Sequence, residues 1–444
     1  MISACDPYRT NVIGHGILRG IECVYSSVCG LPDAGVFGTP TPPPWVRFSR
    51  DALRQQGHAE GGLIMLICQC NAIHRRDVVC GGGAVLLSAI VATLIGSGKP
   101  VRAETISGKL PEVDRVAVRV VVDSYQFAVA PSRKVSGVEI EHFGWGIGGG
   151  KPPGKTLISE FGLSMHVESR RGTETRNVLM DFGFTPDALV NNTNLVGIDP
   201  TALDALVLSH GHYDHFGGLA GFLKQSNGKL KAKLPLYIGG EEAFCSREWT
   251  APPVRGDFGA LDRKALEDAN VVVTYAEGPA LVADHGFSTG PIGQTSFEKL
   301  LSPSAMKIGV DHGIGCYADK LPEDERTKAV IPDQFRHEIA TAFNLKDRGL
   351  IVLTSCSHRG VINAIKQAQA ASGISKVHAV IGGFHLAPYK EDYVRDTIAA
   401  LKNMDIDYVI PLHCTGEPFY EIAKAEIPNK LLRSYTGTRF IFAA

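Results

Sequence analysis

Leu203-Asp204-Ala205-Leu206-Val207-Leu208-Ser209-His210-Gly211-His212-Tyr213-Asp214-His215-Phe216-Gly217-Gly218-Leu219 puts three histidines and an aspartate into six residues, directly behind an apolar run. The run reads as a buried strand and the cluster as the loop at its C-terminal end. A sheet can hold such a loop in place while its side chains converge on one point, and a metal site needs that because its ligand geometry tolerates little error. The pattern HxHxDH arises by chance on the order of once in a thousand sequences of this composition, so a core or solvated-charge reading is weak. Imidazole and carboxylate together suit zinc, manganese or iron, whereas calcium takes oxygen ligands alone.

Upstream, residues 116–122 form a β-rich run, and residues 177–183 read as a buried strand ending in Asp181 and Gly183. Downstream, three apolar strands alternate with amphipathic helices. Residues 350–354 run into Ser355-Cys356-Ser357-His358-Arg359-Gly360, and a helix follows with Val361, Ile365 and Ala368 on one face. Residues 377–381 run into Gly382-Gly383-Phe384-His385-Leu386, before a helix with Val394, Ile398 and Leu401 on one face. Residues 408–412 run into His413-Cys414-Thr415-Gly416. Each strand therefore ends on a histidine.

These motifs resemble the metallo-β-lactamase superfamily over about residues 116–442. The resemblance implies an α/β fold, a metallo-β-lactamase-like αββα sandwich with a mono- or dinuclear site at one edge. It implies His210, His212 and His358 as ligands of a first metal, Asp214, His215 and His413 as ligands of a second, and Asp181 as the residue that orients a ligand from behind. His385 falls where the superfamily has an acidic bridge. A neutral imidazole has one free nitrogen and cannot bridge as a carboxylate does, so His385 is expected to act in catalysis or beside the metals, and the second site to be the weaker. Cys356 is the alternative soft ligand near the site, but its position two residues before His358 points it less plausibly at the metals, and it is read as structural. The motif combination, with Glu160-Phe161-Gly162-Leu163-Ser164, Gly290-Pro291-Ile292 and Phe297-Glu298, looks like the branch that includes the archaeal dihydropterin-forming synthase of methanopterin biosynthesis.

One or two divalent ions, zinc first and manganese or iron as alternatives, then imply a metal-dependent hydrolase. It would use a metal-bound hydroxide, oriented by Asp214, on an ester, lactone, amide or phosphoester. A metal-assisted transferase resembling the dihydropterin-forming synthase is the alternative, and an iron-dependent redox or metal-binding protein the next. No GxSxG stands between a strand and a helix. Lys+Arg 45 against Asp+Glu 46 gives a net charge of -1, which points to a small-molecule substrate and not to nucleic acid. Gly149-Gly150-Lys151-Pro152-Pro153-Gly154-Lys155-Thr156 matches a phosphate-binding loop, but no buried strand precedes it and two prolines remove backbone donors it would use.

The first hundred residues read differently. Residues 1–64 have clustered proline and glycine, no sustained period, and no assignable fold. Residues 65–103 have the parts of a twin-arginine-like signal peptide: Arg75-Arg76, an apolar stretch over 78–98, then Val101-Arg102-Ala103. Export to the periplasm or beyond is the expectation, with no stable membrane insertion once cleaved; an anchor formed by residues 78–98 is the alternative. Residues 104–444 are the catalytic domain, with an insert at about 251–347 as a lid or pocket. The insert's His285 and His312 read as surface or hydrogen-bonded loop residues. Cys245, Cys316, Cys356 and Cys414 are the cysteines after Glu104, too scattered for a disulfide framework.

Overall fold

The computed structural model describes residues 100–106, 108–144, 154–250, 256–301 and 304–444. The chain divides into Met1–Gly81 and Gly82–Ala444, and the described residues all lie in the second unit. Residues 1–64, most of the expected signal peptide and the start of the glycine-lysine motif lie outside them.

Two sheets face each other. The larger has ten strands and is centred on Glu174–Met180, with Ala205–Val207, Leu234–Ile238 and Val271–Tyr275 running parallel on one side. Ser164–Arg171, Arg115–Val122 and Arg439–Ala443 continue it antiparallel on the other. The second sheet contains Gly286–Pro291, Ile339–Leu345, Gly349–Leu353, Val377–Gly383 and Ile406–Leu412, and the last three are mutually parallel.

Alternation along the strands explains the layering, because successive side chains point to opposite faces. Val116, Val118 and Val120 join Met165, Met180, Phe343, Leu353, Ile381 and Ile410 in one core between the sheets. Val121 and Val122 face the other way, into a cluster with Leu189 and Leu219 of the helices Pro186–Leu195 and Leu219–Gln225. Val377, Val380, Ile406 and Val409 likewise turn outward onto Ile365, Ile398 and Phe419. Those belong to the helices Val361–Ser372, Glu391–Asn403 and Glu417–Glu426. Helix, sheet, sheet, helix is the αββα sandwich expected from the motifs.

The stretch 251–347 is only partly an excursion. Val271–Tyr275 belongs to the large sheet and Ala280–Val282, Gly286–Pro291 and Ile339–Leu345 to the second, so the alternating apolar residues there are core. What lies apart is a four-stranded antiparallel sheet of Gly256–Gly259, Ser246–Trp249, Ser304–Lys307 and Val330–Pro332, with a hairpin of Gly309–Asp311 and Ile314–Cys316. A Cys245–Cys316 disulfide ties this region together. That pair was not foreseen, since a separation of 71 residues says nothing about contact. His285 is buried, with Nδ1 3.0 Å from Ser169 Oγ, while His312 is exposed. Among the described residues, no helix is long and apolar enough to cross a membrane; residues 78–98 lie outside them.

Candidate metal centre

Parallel strands that end together deliver their following loops to one edge of the sandwich. Val207 is followed at once by Ser209 and His210, Leu353 by Cys356 and His358, Gly383 by His385, and Leu412 by His413. Several of these residues hold left-handed backbone: Asp181 (φ 55°), Ser357 (φ 56°), His385 (φ 46°) and His413 (φ 49°). Such conformations cost on the order of 1 kcal/mol or more each and cluster where a site over-determines them. Close packing forces two glycines nearby. A Cβ on Gly383 would lie 2.2 Å from Ser355 O and 2.8 Å from Cys414 Sγ; one on Gly211 would lie 2.3 Å from an Arg247 guanidinium nitrogen.

The six proposed ligands form two adjoining groups. His210, His212 and His358 have ring centroids 4.7–4.9 Å apart in edge-on pairs. His210 Nδ1 lies 2.9 Å from Ser209 Oγ, which leaves its Nε2 directed inward; His212 Nε2 lies 3.0 Å from Ser304 Oγ, which leaves its Nδ1. In the second group, Asp214 Oδ2 is 3.1 Å from His413 Nε2 and 3.5 Å from His215 Nε2. His210 and His215, with rings 4.3 Å apart, join the groups.

Asp181 stands behind them, fully buried. Its Oδ1 accepts the Ser209 backbone N–H at 2.8 Å, and its Oδ2 accepts the Ser209 hydroxyl and lies 2.7 Å from His215 Nδ1. A proton held on Nδ1 presents the Nε2 lone pair to the centre. Asp181, implied by the motif to orient a ligand from behind, has its carboxylate against His215 Nδ1.

The donors fit a metal. His210 Nε2 and both nitrogens of His358 are buried with no hydrogen-bond partner, an arrangement that is costly unless something electrophilic occupies the space between them. Burial, reinforced by the neighbouring imidazoles, holds His210 and His358 well below the ordinary histidine range; burial also lowers His212, to about 3. They are neutral and able to coordinate. Burial opposes ionisation of Asp214, but His215 and His413 outweigh it and keep the carboxyl far below its usual range. Burial likewise opposes charging of His215, yet Asp214 and Asp181 raise it to about 10.

His385 comes to the same edge, its ring 4.1 Å from that of His358. Its donor atom lies within 4.8 Å of the sulfurs of Cys356 and Cys414. Cys356 Sγ is also within 4.8 Å of donor atoms of His210 and His358 on one side and of His215 and His413 on the other. Cys356, read from the sequence as structural, is 3.2 Å from His215 Nε2 and 3.3 Å from Cys414 Sγ. The strand before it stops at Leu353 and the chain turns, which the count of two residues before His358 does not reveal. Sequence reading also missed the support from the small sheet. Arg247, fully buried, donates to Asp333 at 2.6 Å, and Asp333 lies 4.0 Å from His212. Phe335 stacks on His358 at 3.9 Å.

Residues 162–241 match the sequence profile of the Metallo-beta-lactamase superfamily. The chain is 30% identical over 285 residues to the 7,8-dihydropterin-6-methyl-4-(beta-D-ribofuranosyl)-aminobenzene-5'-phosphate synthase of Methanocaldococcus jannaschii, covering 63% of this chain and 89% of that protein. The chain belongs to the metallo-beta-lactamase superfamily. A second relative, an uncharacterized protein of the same organism, is 25% identical over 288 residues, 64% of this chain and 94% of its own length. Among solved structures, one described as a metal-dependent hydrolase of the beta-lactamase superfamily superposes with a TM-score of 0.51 at 22% identity. It covers 73% of this chain and 98% of its own, and bears out the superfamily fold.

Proposed function

We propose that the protein is a metal-dependent hydrolase of a small-molecule ester, lactone, amide or phosphoester, with zinc as the first candidate metal and manganese or iron as alternatives. The observation that carries this reading is the set of buried, partnerless imidazole nitrogens facing Asp214 and Cys356 at the ends of four strands. A divalent ion held there supplies Lewis acidity, polarising a carbonyl or phosphoryl oxygen and making a coordinated water acidic near neutral pH.

The chain's own residues do the rest. Asp214, ionised and 15% exposed at its side chain, is the acidic group that reaches both the donors and the open edge, and it orients an attacking water. His385, whose ring is 4.1 Å from that of His358, is the candidate to hand a proton to the departing group. Phe161, 61% exposed, lies with its ring 4.7 Å from His413, and Phe184, also exposed, packs edge-on against Tyr213; both offer the rim an apolar surface for a substrate.

The synthase relative supports a second reading, a metal-assisted transferase working from the same donors. Elemental analysis of protein purified from its natural compartment, followed by a panel of chromogenic esters and phosphoesters, separates the readings. Zinc with hydrolysis supports the first, and bound metal with no hydrolysis of any member turns attention to group transfer. Iron with oxygen consumption would replace both with redox chemistry.

Export remains part of this proposal. The Cys245–Cys316 disulfide is a chemistry favoured in oxidising compartments and so supports it. Arg75→Lys with Arg76→Lys is expected to leave the unprocessed chain in the cytoplasm; normal processing of that variant would mean that the arginine pair is incidental.

A further inference from the structure

The metal centre looks one donor short on its second side if only histidines and carboxylates are counted. Asp214, His215 and His413 offer three atoms, and the His385 imidazole has one free nitrogen, so it does not bridge as a carboxylate does. The structure places a sulfur there. We propose that Cys356 is a metal ligand, a thiolate that completes the donor set of Asp214, His215 and His413 and stands in for the acidic bridge. This rests on the metal-centre reading above and adds to it the softness and identity of the missing donor.

Geometry supports the assignment. Two donors on one tetrahedral ion, with bonds of about 2.0–2.1 Å to nitrogen or oxygen and about 2.3 Å to sulfur, lie roughly 3.3–3.6 Å apart. Here Cys356 Sγ to His215 Nε2 is 3.2 Å, Asp214 Oδ2 to His215 Nε2 is 3.5 Å, and Asp214 Oδ2 to His413 Nε2 is 3.1 Å. These three distances fall within a few tenths of an ångström of that range, and donor atoms of Cys356, His215 and His413 all lie within 4.8 Å of one another. The same sulfur is within 4.8 Å of donor atoms of His210 and His358, so it also reaches toward the first group, as a bridge must.

The surroundings suit a bound thiolate better than a buried thiol kept for packing. Cys356 is 2% exposed, and its Sγ lies within 4.8 Å of donor atoms of His210, His215, His358, His385 and His413. Cys414 Sγ, 3.3 Å away, is placed to donate its S–H to the Cys356 sulfur, the kind of outer contact that settles a ligand's charge. Coordination breaks the Cys356 S–H bond, forms a sulfur–metal bond and releases one proton to solvent; no oxidant or reductant is needed. A sulfur donor shifts preference toward zinc and away from manganese. It also removes the ground for expecting the second site to be the weaker, since a bridging Cys356 gives each group of three ligands a fourth protein donor.

Cobalt(II) replacement in the full chain tests this without relying on turnover. The ligand-field bands of bound cobalt report the metal centre, and a sulfur-to-cobalt charge-transfer band in the near ultraviolet reports the thiolate. In the parent both are expected; in Cys356→Ser the charge-transfer band should fall by one thiolate per protein while the ligand-field bands persist, with affinity for the second ion at least about tenfold lower. Cys414→Ser should keep the band. If Cys356→Ser fails to fold, Cys356→Asp replaces sulfur by a charged oxygen donor, and X-ray absorption of the zinc-loaded parent should still show a sulfur shell near about 2.3 Å. A band that survives loss of Cys356, or that disappears only with Cys414, overturns the assignment while leaving the metal centre standing. Failure of the parent to take up cobalt at all would overturn the metal-centre reading itself.

Discussion

His215 Nδ1 lies 2.7 Å from Asp181 Oδ2, and both side chains are completely buried. This contact fixes which imidazole nitrogen faces the centre, because a carboxylate can only accept. Asp181→Asn tests it cleanly: asparagine tolerates the φ of 55° at this position and keeps the size, but its amide can turn a donor toward Nδ1 and push the proton to Nε2. Affinity for the ion beside His215 should fall about 10–100-fold, read by competition with a chromogenic chelator. Unchanged affinity would mean that the contact is only structural.

The Cys245–Cys316 disulfide closes a loop of 71 residues around the small sheet. Chain entropy alone puts its contribution at about 4 kcal/mol, with a realistic expectation of about 2–4. Replacing both cysteines by alanine should lower the denaturant midpoint of the oxidised protein accordingly, and reducing agent should shift the parent but not the variant. Equal stability of the two under oxidising conditions would show that the bond does not form.

His166, on the strand Ser164–Arg171 and remote from the metal ligands, is lowered to about 4, chiefly by burial and further by Arg439 and Arg119, with Glu168 opposing. The folded state therefore refuses a proton that the unfolded chain accepts near 6.5. Stability is expected to be lost as pH falls from about 6.5 to 4, by on the order of 2 kcal/mol, with no further contribution below. Thermal midpoints of His166→Gln should decline less steeply than the parent's across that window; parallel curves would remove His166 as a cause of acid sensitivity.

The sandwich was legible because its strands are short, apolar and followed by ligand motifs, so that residues 116–122, 377–381 and 408–412 fall inside observed strands. HxHxDH could be read from spacing alone, since its four side chains are local. Cys356 could not. Whether it points at the metals depends on where the strand before it ends and on the left-handed turn at Ser357, neither of which periodicity reveals. Arg247, Ser304 and Asp333 were out of reach for another reason: Ser304 and Asp333 come from the region read as a lid and Arg247 from just before it, and only the folded chain brings them behind His212.

Turnover by metal-stripped and metal-restored protein tests the central claim most directly. On an ester or phosphoester that the parent hydrolyses, chelation should abolish the rate and zinc should restore it. Asp214→Asn, at unchanged fold, should remain at least about a hundredfold slower with zinc present. Lys155→Ala, which alters an exposed residue, should match the parent. Undiminished turnover by the stripped protein would contradict the account. So would a parental rate in Asp214→Asn beside a loss in Lys155→Ala.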